Sequence, residues 1–216
     1  MFDPDCRRCS RLAGFLDNVR ISHPAYHARP VAPFGDAAPR LLIVGLAPGM
    51  HGANRTGRPF TGDHAGELLY STLHHFGFAT SGTPLDAGGG PNPSLQLVNC
   101  RITNAVKCLP PENKPTGDEI NTCNSFLAQE LAALPAGAVV LALGNIAHQA
   151  VLKASKLKVG NYRFGHNVRH ALPDGRVLYD SYHCSRYNTQ TRRLTEAMFH
   201  NVFTSIVEDL KCHMST

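Results

Sequence analysis

The chain has 216 residues, of which 43% are hydrophobic and 17% charged, with a net charge of +5 and a sequence pI near 8.9. That length and apolar share suit one domain with a full core and exclude a disordered chain. The mild basic excess is compatible with a polyanion partner without demanding one.

No apolar run is long enough to span a bilayer, and the opening MFDPDCRRCS lacks the apolar middle of a signal peptide. The expectation is therefore a cytoplasmic protein without a membrane partner. Seven cysteines in such a chain point to metal or cluster binding rather than disulfides. Scattered histidines such as His27, His74, His75 and His213 read as surface or packing residues.

In chain order, Leu12, Phe15, Leu16 and Val19 fall at helical spacing and predict a short helix over residues 6–20. Residues 21–39, rich in Pro and Ala, read as an extended connection. Residues 40–46 predict a buried strand, and a helix follows over 65–76 after a polar loop. A Gly/Pro-rich loop over 81–94 leads to a second strand at 97–106. Thr116 and Glu119 make a capping box, which predicts a helix over 117–134. A third strand follows at 138–143, then a helix through Leu152 with Asn145 as its cap. The turn Pro173-Asp174-Gly175 joins two extended runs, the second being a fourth sheet strand at 176–182. A last helix is expected over 190–211. Near-continuous apolar strands alternating with helices predict an α/β domain spanning residues 1–216, with a central four-stranded parallel sheet covered on both faces.

The stretch RLLIVGLAPGMHGANRTGRPFTGD, residues 40–63, is the first candidate for chemistry, because ligands of open α/β sheets sit at the carboxyl ends of the strands. It contains neither G-x-G-x-x-G nor G-x-x-x-x-G-K-[ST], so it is no familiar phosphate loop. Cys6 and Cys9 form a C-x2-C pair, and Cys108 and Cys123 are separated by fourteen intervening residues. Four thiolates would converge if the first helix packs near the second strand. They would then clamp the irregular LPPENKP segment after Cys108, and spacing alone admits either Zn²⁺ or an iron–sulfur cluster.

Three segments taken together, GLAPGMHGANRTGRPFTGD, ITNAVKCLPPENKPT and SYHCSRYNTQTRRLT, with Cys6, Cys9 and Cys123, closely resemble the family 5 uracil-DNA glycosylases. The likeness extends from Cys6 to about Thr195. It implies a structural [4Fe-4S] cluster on Cys6, Cys9, Cys108 and Cys123, no catalytic metal, and excision of uracil, and of other deaminated bases, from DNA. It also implies a monomer acting on double-stranded DNA in the prokaryotic cytoplasm, beside the nucleoid.

The residues suit that chemistry. A base inside a duplex must be flipped into a pocket before its glycosidic bond is reached. Phe60 is placed to stack on the extruded base, with Ala47 and Gly49 beside it. Asn104, at the end of the second strand, offers a donor and an acceptor to the O4 and N3 edge of uracil. By resemblance His183 reaches O2, where charge gathers as the bond lengthens. Ser185, Arg186 and Tyr187 form the tip that enters the minor groove. Leu46, Ala47 and Pro48 supply no polar side chain where related families carry one to position water, so Asp63 becomes the candidate, against its other reading as a helix N-cap. His51, Asn54, Arg55 and Arg58 are candidates for DNA contact. Gly49 and Cys184 stand where the family pattern has alanine and proline, which bears on base range and wedge geometry. Two other readings are a non-catalytic lesion sensor with a structural metal site and a zinc-stabilised nucleotide-binding module.

Overall fold

The structure, a computed structural model, describes residues 2–212; His213 lies outside the described residues. The sheet is built on strand β2 (Leu41–Gly45), all five residues of which are buried. Alternation sends Leu41 and Ile43 into one apolar cluster and Leu42 and Val44 into another, so the strand needs cover on both faces. It pairs in parallel with β3 (Cys100–Asn104) on one side and with β4 (Val139–Leu143) on the other. β4 pairs in parallel with β6 (Val177–Ser181). These are the four expected parallel strands.

Two short antiparallel strands complete the sheet: β5 (Arg169–Ala171), the first of the two extended runs expected around the Pro173-Asp174-Gly175 turn, against β6, and the unexpected β1 (Phe34–Gly35) against β3. The full order is β1-β3-β2-β4-β6-β5. Neither edge strand shows the long apolar alternation by which strands are read from sequence.

Helices α3 (His64–His75) and α7 (Glu196–Cys212) cover one face, where Leu69, Leu73, Phe199, Val202 and Phe203 join the larger cluster. Helices α4 (Gly117–Ala132) and α5 (Asn145–Ala154) cover the other with Leu127, Leu131, Ala147 and Val151. The capping box forms as expected, Thr116 Oγ1 accepting from the Glu119 N–H and Glu119 Oε2 from the Thr116 N–H at 2.8 Å. Helix α1 (Ser10–Ser22) starts later than expected, with Cys9 at its N-cap and Cys6 ahead of it.

Three expectations are corrected. Asn145 is the first helical residue rather than the cap, since Gly144 with φ +93° takes that position. The final helix, expected from about residue 190, starts at Glu196, and a separate short helix, α6 (Arg186–Gln190), capped by Ser185, precedes it. The polar loop after β2 holds a single helical turn, α2 (Ala53–Thr56), ended by the left-handed Gly57. Among the described residues no helix is long and apolar enough to cross a membrane.

Candidate active site

The carboxyl ends of β2, β3 and β6 open on a cavity of about 540 Å³, lined by Leu46, Ala47, Gly49, Ala53, Phe60, Asp63, His64, Ala65, Asn104, Asn113, His183, Ser185 and Arg186. Sheet register builds its floor, because Gly45 is the direct partner of Asn104. A methyl group on Gly45 would lie 2.4 Å from Asn104 Oδ1 and 2.6 Å from the Phe60 ring, so the absent side chain is what lets those two groups approach.

Asn104 is 3% exposed, and its Oδ1 is buried without a hydrogen-bond partner. A buried orphan acceptor costs about 1–3 kcal/mol, and such groups mark places where a ligand or water completes the bonding. Phe60 has the left-handed φ of 54°, strained for a bulky side chain. It is held there by the first turn of α3, where a Cβ on Gly66 would come within 1.7 Å of the Phe60 carbonyl oxygen. The preceding residue is fixed as well, Pro59 O accepting from Tyr70 Oη at 2.8 Å. The Phe60 ring stacks on His183, centroids 5.9 Å apart at 27°.

Asp63 is the helix N-cap and also reaches the cavity wall. Its Oδ1 accepts from the Gly66 N–H at 3.1 Å and caps α3, while Oδ2 faces Gly49 and Gly52 at the cavity wall. Burial raises its pKa against the lowering effect of the Gly66 N–H. His183 follows β6 by two residues, and burial lowers its pKa to about 4, so its imidazole is neutral near pH 7. The Asn188 Nδ2 donates to the His183 carbonyl at 2.8 Å and fixes the turn. Ser185 Oγ accepts from the Asn188 N–H at 3.4 Å. Arg186 is exposed and Tyr187 is 69% exposed, beside the cavity mouth.

The remaining expected contacts divide. His51 is exposed and shares a 2.9 Å hydrogen bond with Tyr26 Oη. Arg55 donates to His51 O at 2.8 Å and Gly89 O at 3.0 Å, and Arg58 to Asn92 O at 2.8 Å while lying 4.4 Å over the Phe34 ring. These two arginines fasten the 81–94 loop to the cavity loop. Asn54 is fully buried and points inward, so the expectation that it touches DNA is withdrawn. Its side chain lies under Met50, with Oδ1 unpartnered.

Sequence reasoning missed His64, whose Nε2 bonds Thr189 Oγ1 at 2.9 Å and closes the wall between α3 and α6. Its place just after Asp63 is the only signal. It also missed Asn113, carried to the cavity by left-handed backbone at Glu112 and Asn113, where an asparagine after Pro-Pro-Glu was the available hint.

Behind this site Cys6, Cys9, Cys108 and Cys123 surround one small cleft with Arg8, Leu12, Val106 and Phe126. Burial pushes the Cys108 thiol up to about 12, and its neighbours Cys123, Cys6 and Cys9 push it the same way. Two donors already point at the sulfurs: the Arg8 Nε–H at 3.4 Å from Cys6 Sγ and the Lys107 backbone N–H at 3.3 Å from Cys123 Sγ. Among the described residues, His148, His170 and Asp180 are the group of three or more ligand atoms drawn within 4.8 Å of one another. The four thiols are spread more widely than that. Cys100 and Cys184 are buried elsewhere and Cys212 is exposed.

Residues 32–211 match the family model of the uracil DNA glycosylase superfamily. The chain is 45% identical to a type-5 uracil-DNA glycosylase of Thermus thermophilus over 199 residues, covering 90% of this chain and 89% of that one. It is 41% identical to a type-5 uracil-DNA glycosylase of Mycobacterium leprae, covering 92% and 88%. It is 39% identical to one of Pyrobaculum aerophilum, covering 96% and 90%.

Proposed function

The chain belongs to the uracil DNA glycosylase superfamily, and from that premise we infer that it hydrolyses the N-glycosidic bond of uracil in DNA and leaves an abasic site for base-excision repair. The observation that carries the site assignment is the buried, unpartnered Asn104 Oδ1 at the floor of a cavity whose other walls are Phe60, Asp63 and His183.

A uracil flipped from the helix stacks on Phe60 and exchanges hydrogen bonds with the Asn104 amide through its O4 and N3 edge. As the C1′–N1 bond lengthens, negative charge collects on the base, and the neutral His183 ring N–H donates to O2. Positive charge collects on the sugar, where the Asp63 carboxylate offsets it and takes a proton from the water whose oxygen bonds C1′. Uracil leaves as its anion and is protonated from solvent. The cavity lining holds no lysine among the described residues, which supports a monofunctional enzyme without Schiff-base chemistry. The proposed range extends to other deaminated bases, hypoxanthine and xanthine among them.

Arg186 and Tyr187, exposed at the mouth, fill the gap that the flipped nucleotide leaves in a duplex. His51 and the backbone amides near Gly49, Gly52 and Ser185 face the phosphates. We propose that it acts as a monomer. The prokaryotic relatives support a cytoplasmic location.

Cys6, Cys9, Cys108 and Cys123 would hold a [4Fe-4S] cluster. Four thiols around one cleft suit such a cluster, and the N–H groups aimed at two of them would offset its negative charge. Held there, it would tie the N-terminal segment to the residues after β3 and to α4, and hydrolysis would need no electrons from it.

The test is incubation with U·G, U·A and single-stranded uracil substrates, followed by alkaline cleavage. Strand cleavage at uracil is expected for the parent and lost in His183→Ala. Absence of cleavage on all three substrates, with binding retained, would establish the lesion-sensor reading instead.

A further inference from the structure

Lys107 stands three residues beyond Asn104 and one before Cys108, and it is 1% exposed. Its Nζ donates to Thr103 Oγ1, to the main-chain carbonyl of Asn104 at 3.0 Å and to Glu130 Oε1 at 2.6 Å. An ammonium has three N–H groups, and all three are committed. The backbone N–H of the same residue donates to Cys123 Sγ. A buried ion pair is a poor way to gain stability, since an apolar side chain of like volume often does as well or better. The presence of a sealed lysine at this point therefore asks for another reason.

Asn104 supplies one. Its Oδ1 has no partner inside the protein, so no hydrogen bond to that oxygen sets the direction of the amide. The direction comes from the backbone at the end of β3. Along that strand Ile102 packs on the α3 side, and alternation places Asn104 with it. Thr103 turns to the opposite face, where Lys107 and the α4 residue Glu130 meet it.

We propose that Lys107 is a positioning residue for Asn104: by holding the Thr103 hydroxyl and the Asn104 carbonyl at once, it fixes the strand end from which the amide projects into the cavity. The backbone bond to Cys123 ties the same strand end to the cysteine cleft. The lysine Nζ is not among the cavity-lining groups, so it acts on the base only through Asn104. This inference rests on the reading of Asn104 as the residue that reads the base edge.

The experiment compares single-turnover excision of uracil from a U·G duplex by the purified holoprotein and by Lys107→Met, Lys107→Arg, Asn104→Ala and the Lys107→Met/Asn104→Ala pair. Iron content and affinity for an abasic duplex are measured on each. Misplacing a binding group by an ångström costs on the order of a hundredfold, so Lys107→Met is expected to slow excision about 10- to 100-fold. Its iron content and abasic-site affinity should stay within about twofold of the parent, and Lys107→Arg should recover part of the rate. The double variant should be no slower than Asn104→Ala alone, because the lysine works through the amide. A Lys107→Met rate equal to the parent's, or a double variant slower than Asn104→Ala by the full Lys107→Met factor, overturns the inference. Should Lys107→Met not fold, Thr103→Val removes one of the three anchors, and an unchanged rate there overturns it equally. An Asn104→Ala protein with parental activity would refute the reading of the pocket and this inference with it. An inactive Asn104→Ala beside a normal Lys107→Met refutes the inference alone.

Discussion

Phe60 and His183, brought together from opposite ends of the domain's sequence, stack with their ring centroids 5.9 Å apart at 27°. In the proposed reaction the wall that receives the base and the group that stabilises its departure are thus one packed unit. Replacing Phe60 with alanine removes the stacking platform and the lateral support of the imidazole. Base–aromatic stacking is worth about 1–3 kcal/mol, so kcat/KM for uracil excision should fall by about 5- to 150-fold. Steady-state kinetics on a U·G duplex measures it, and a fall of less than twofold would remove Phe60 from the pocket.

The two titrating groups give the reaction a defined pH dependence. The proposed reaction needs an ionised Asp63 and a neutral His183. Burial raises the first above the usual carboxylate range and lowers the second to about 4. The rate should therefore climb with pH along an acid limb to which both groups contribute. In Asp63→Asn the Asp63 part of that limb should vanish, leaving the His183 part near 4, and the rate should drop by about 10²–10⁴-fold. Stability carries its own signature. Between 6.5 and about 4 the unfolded chain binds a proton at His183 that the folded chain refuses, so stability falls as pH drops through that window. Asp63 contributes with the opposite sign, its ionisation opposing the fold as pH rises through and above the carboxylate range. Urea unfolding of the parent and of His183→Gln across this window separates the two.

Gly45 has no room to be anything else. A methyl group there would meet Asn104 Oδ1 at 2.4 Å and the Phe60 ring at 2.6 Å. Overpacking of this kind costs about 1–3 kcal/mol and moves both groups, so Gly45→Ala should unfold at lower denaturant and lose most of its activity. Denaturant midpoints and single-turnover rates check both halves. Normal activity in Gly45→Ala would mean that Asn104 and Phe60 need not be held so close.

The cysteine cleft predicts its own assay. Purified protein should carry four irons per chain and absorb at about 400 nm. Cys108→Ser should lose that absorbance and several kcal/mol of stability, on the order of 10 °C in Tm. Zinc in place of iron, or a full-strength iron signal in Cys108→Ser, would contradict the assignment.

A buried network on the far face tests the scaffold alone. Asp180, fully buried, takes a 2.7 Å hydrogen bond from His148 Nδ1 and a 3.0 Å bond from His170 Nε2, and His148 Nε2 lies 3.0 Å from the Tyr162 carbonyl oxygen. Asp180→Ala leaves both rings without their shared partner and should cost about 3–5 kcal/mol of stability. Chemical denaturation measures it, and a cost below 1 kcal/mol would mean that the rings re-pair with water.

The parallel strands and principal helices were legible because their apolar runs and caps are local signals: LLIV, AVVLAL and the Thr116–Glu119 box need no tertiary context. The edge strand β1 was not, since two residues of pairing leave no periodicity, whereas β5 was betrayed only by the turn that follows it. Within the site, Asp63, Phe60, Asn104 and His183 were singled out through their motifs, and the structure brings all four to one cavity. Asn54 misled because a polar residue in a polar loop looks exposed, whereas the single turn of α2 folds it under the chain. Arg55 and Arg58 carry charge suited to phosphates, but their carbonyl partners at Gly89 and Asn92 lie more than thirty residues away, and no local pattern announces them. His64 and Asn113 were invisible for the same reason, each reaching the cavity through backbone geometry rather than motif.

The left-handed Phe60, wedged between the Tyr70–Pro59 hydrogen bond and the glycine at 66, has one more consequence. In the proposed reaction that fixed backbone sets the receiving face before any DNA arrives, so the protein would spend little conformational entropy on recognition and the deformation would fall on the nucleic acid. Discrimination among sites then follows the ease with which each base pair opens: in the proposed reaction, unpaired and mismatched uracil is taken ahead of uracil held opposite adenine.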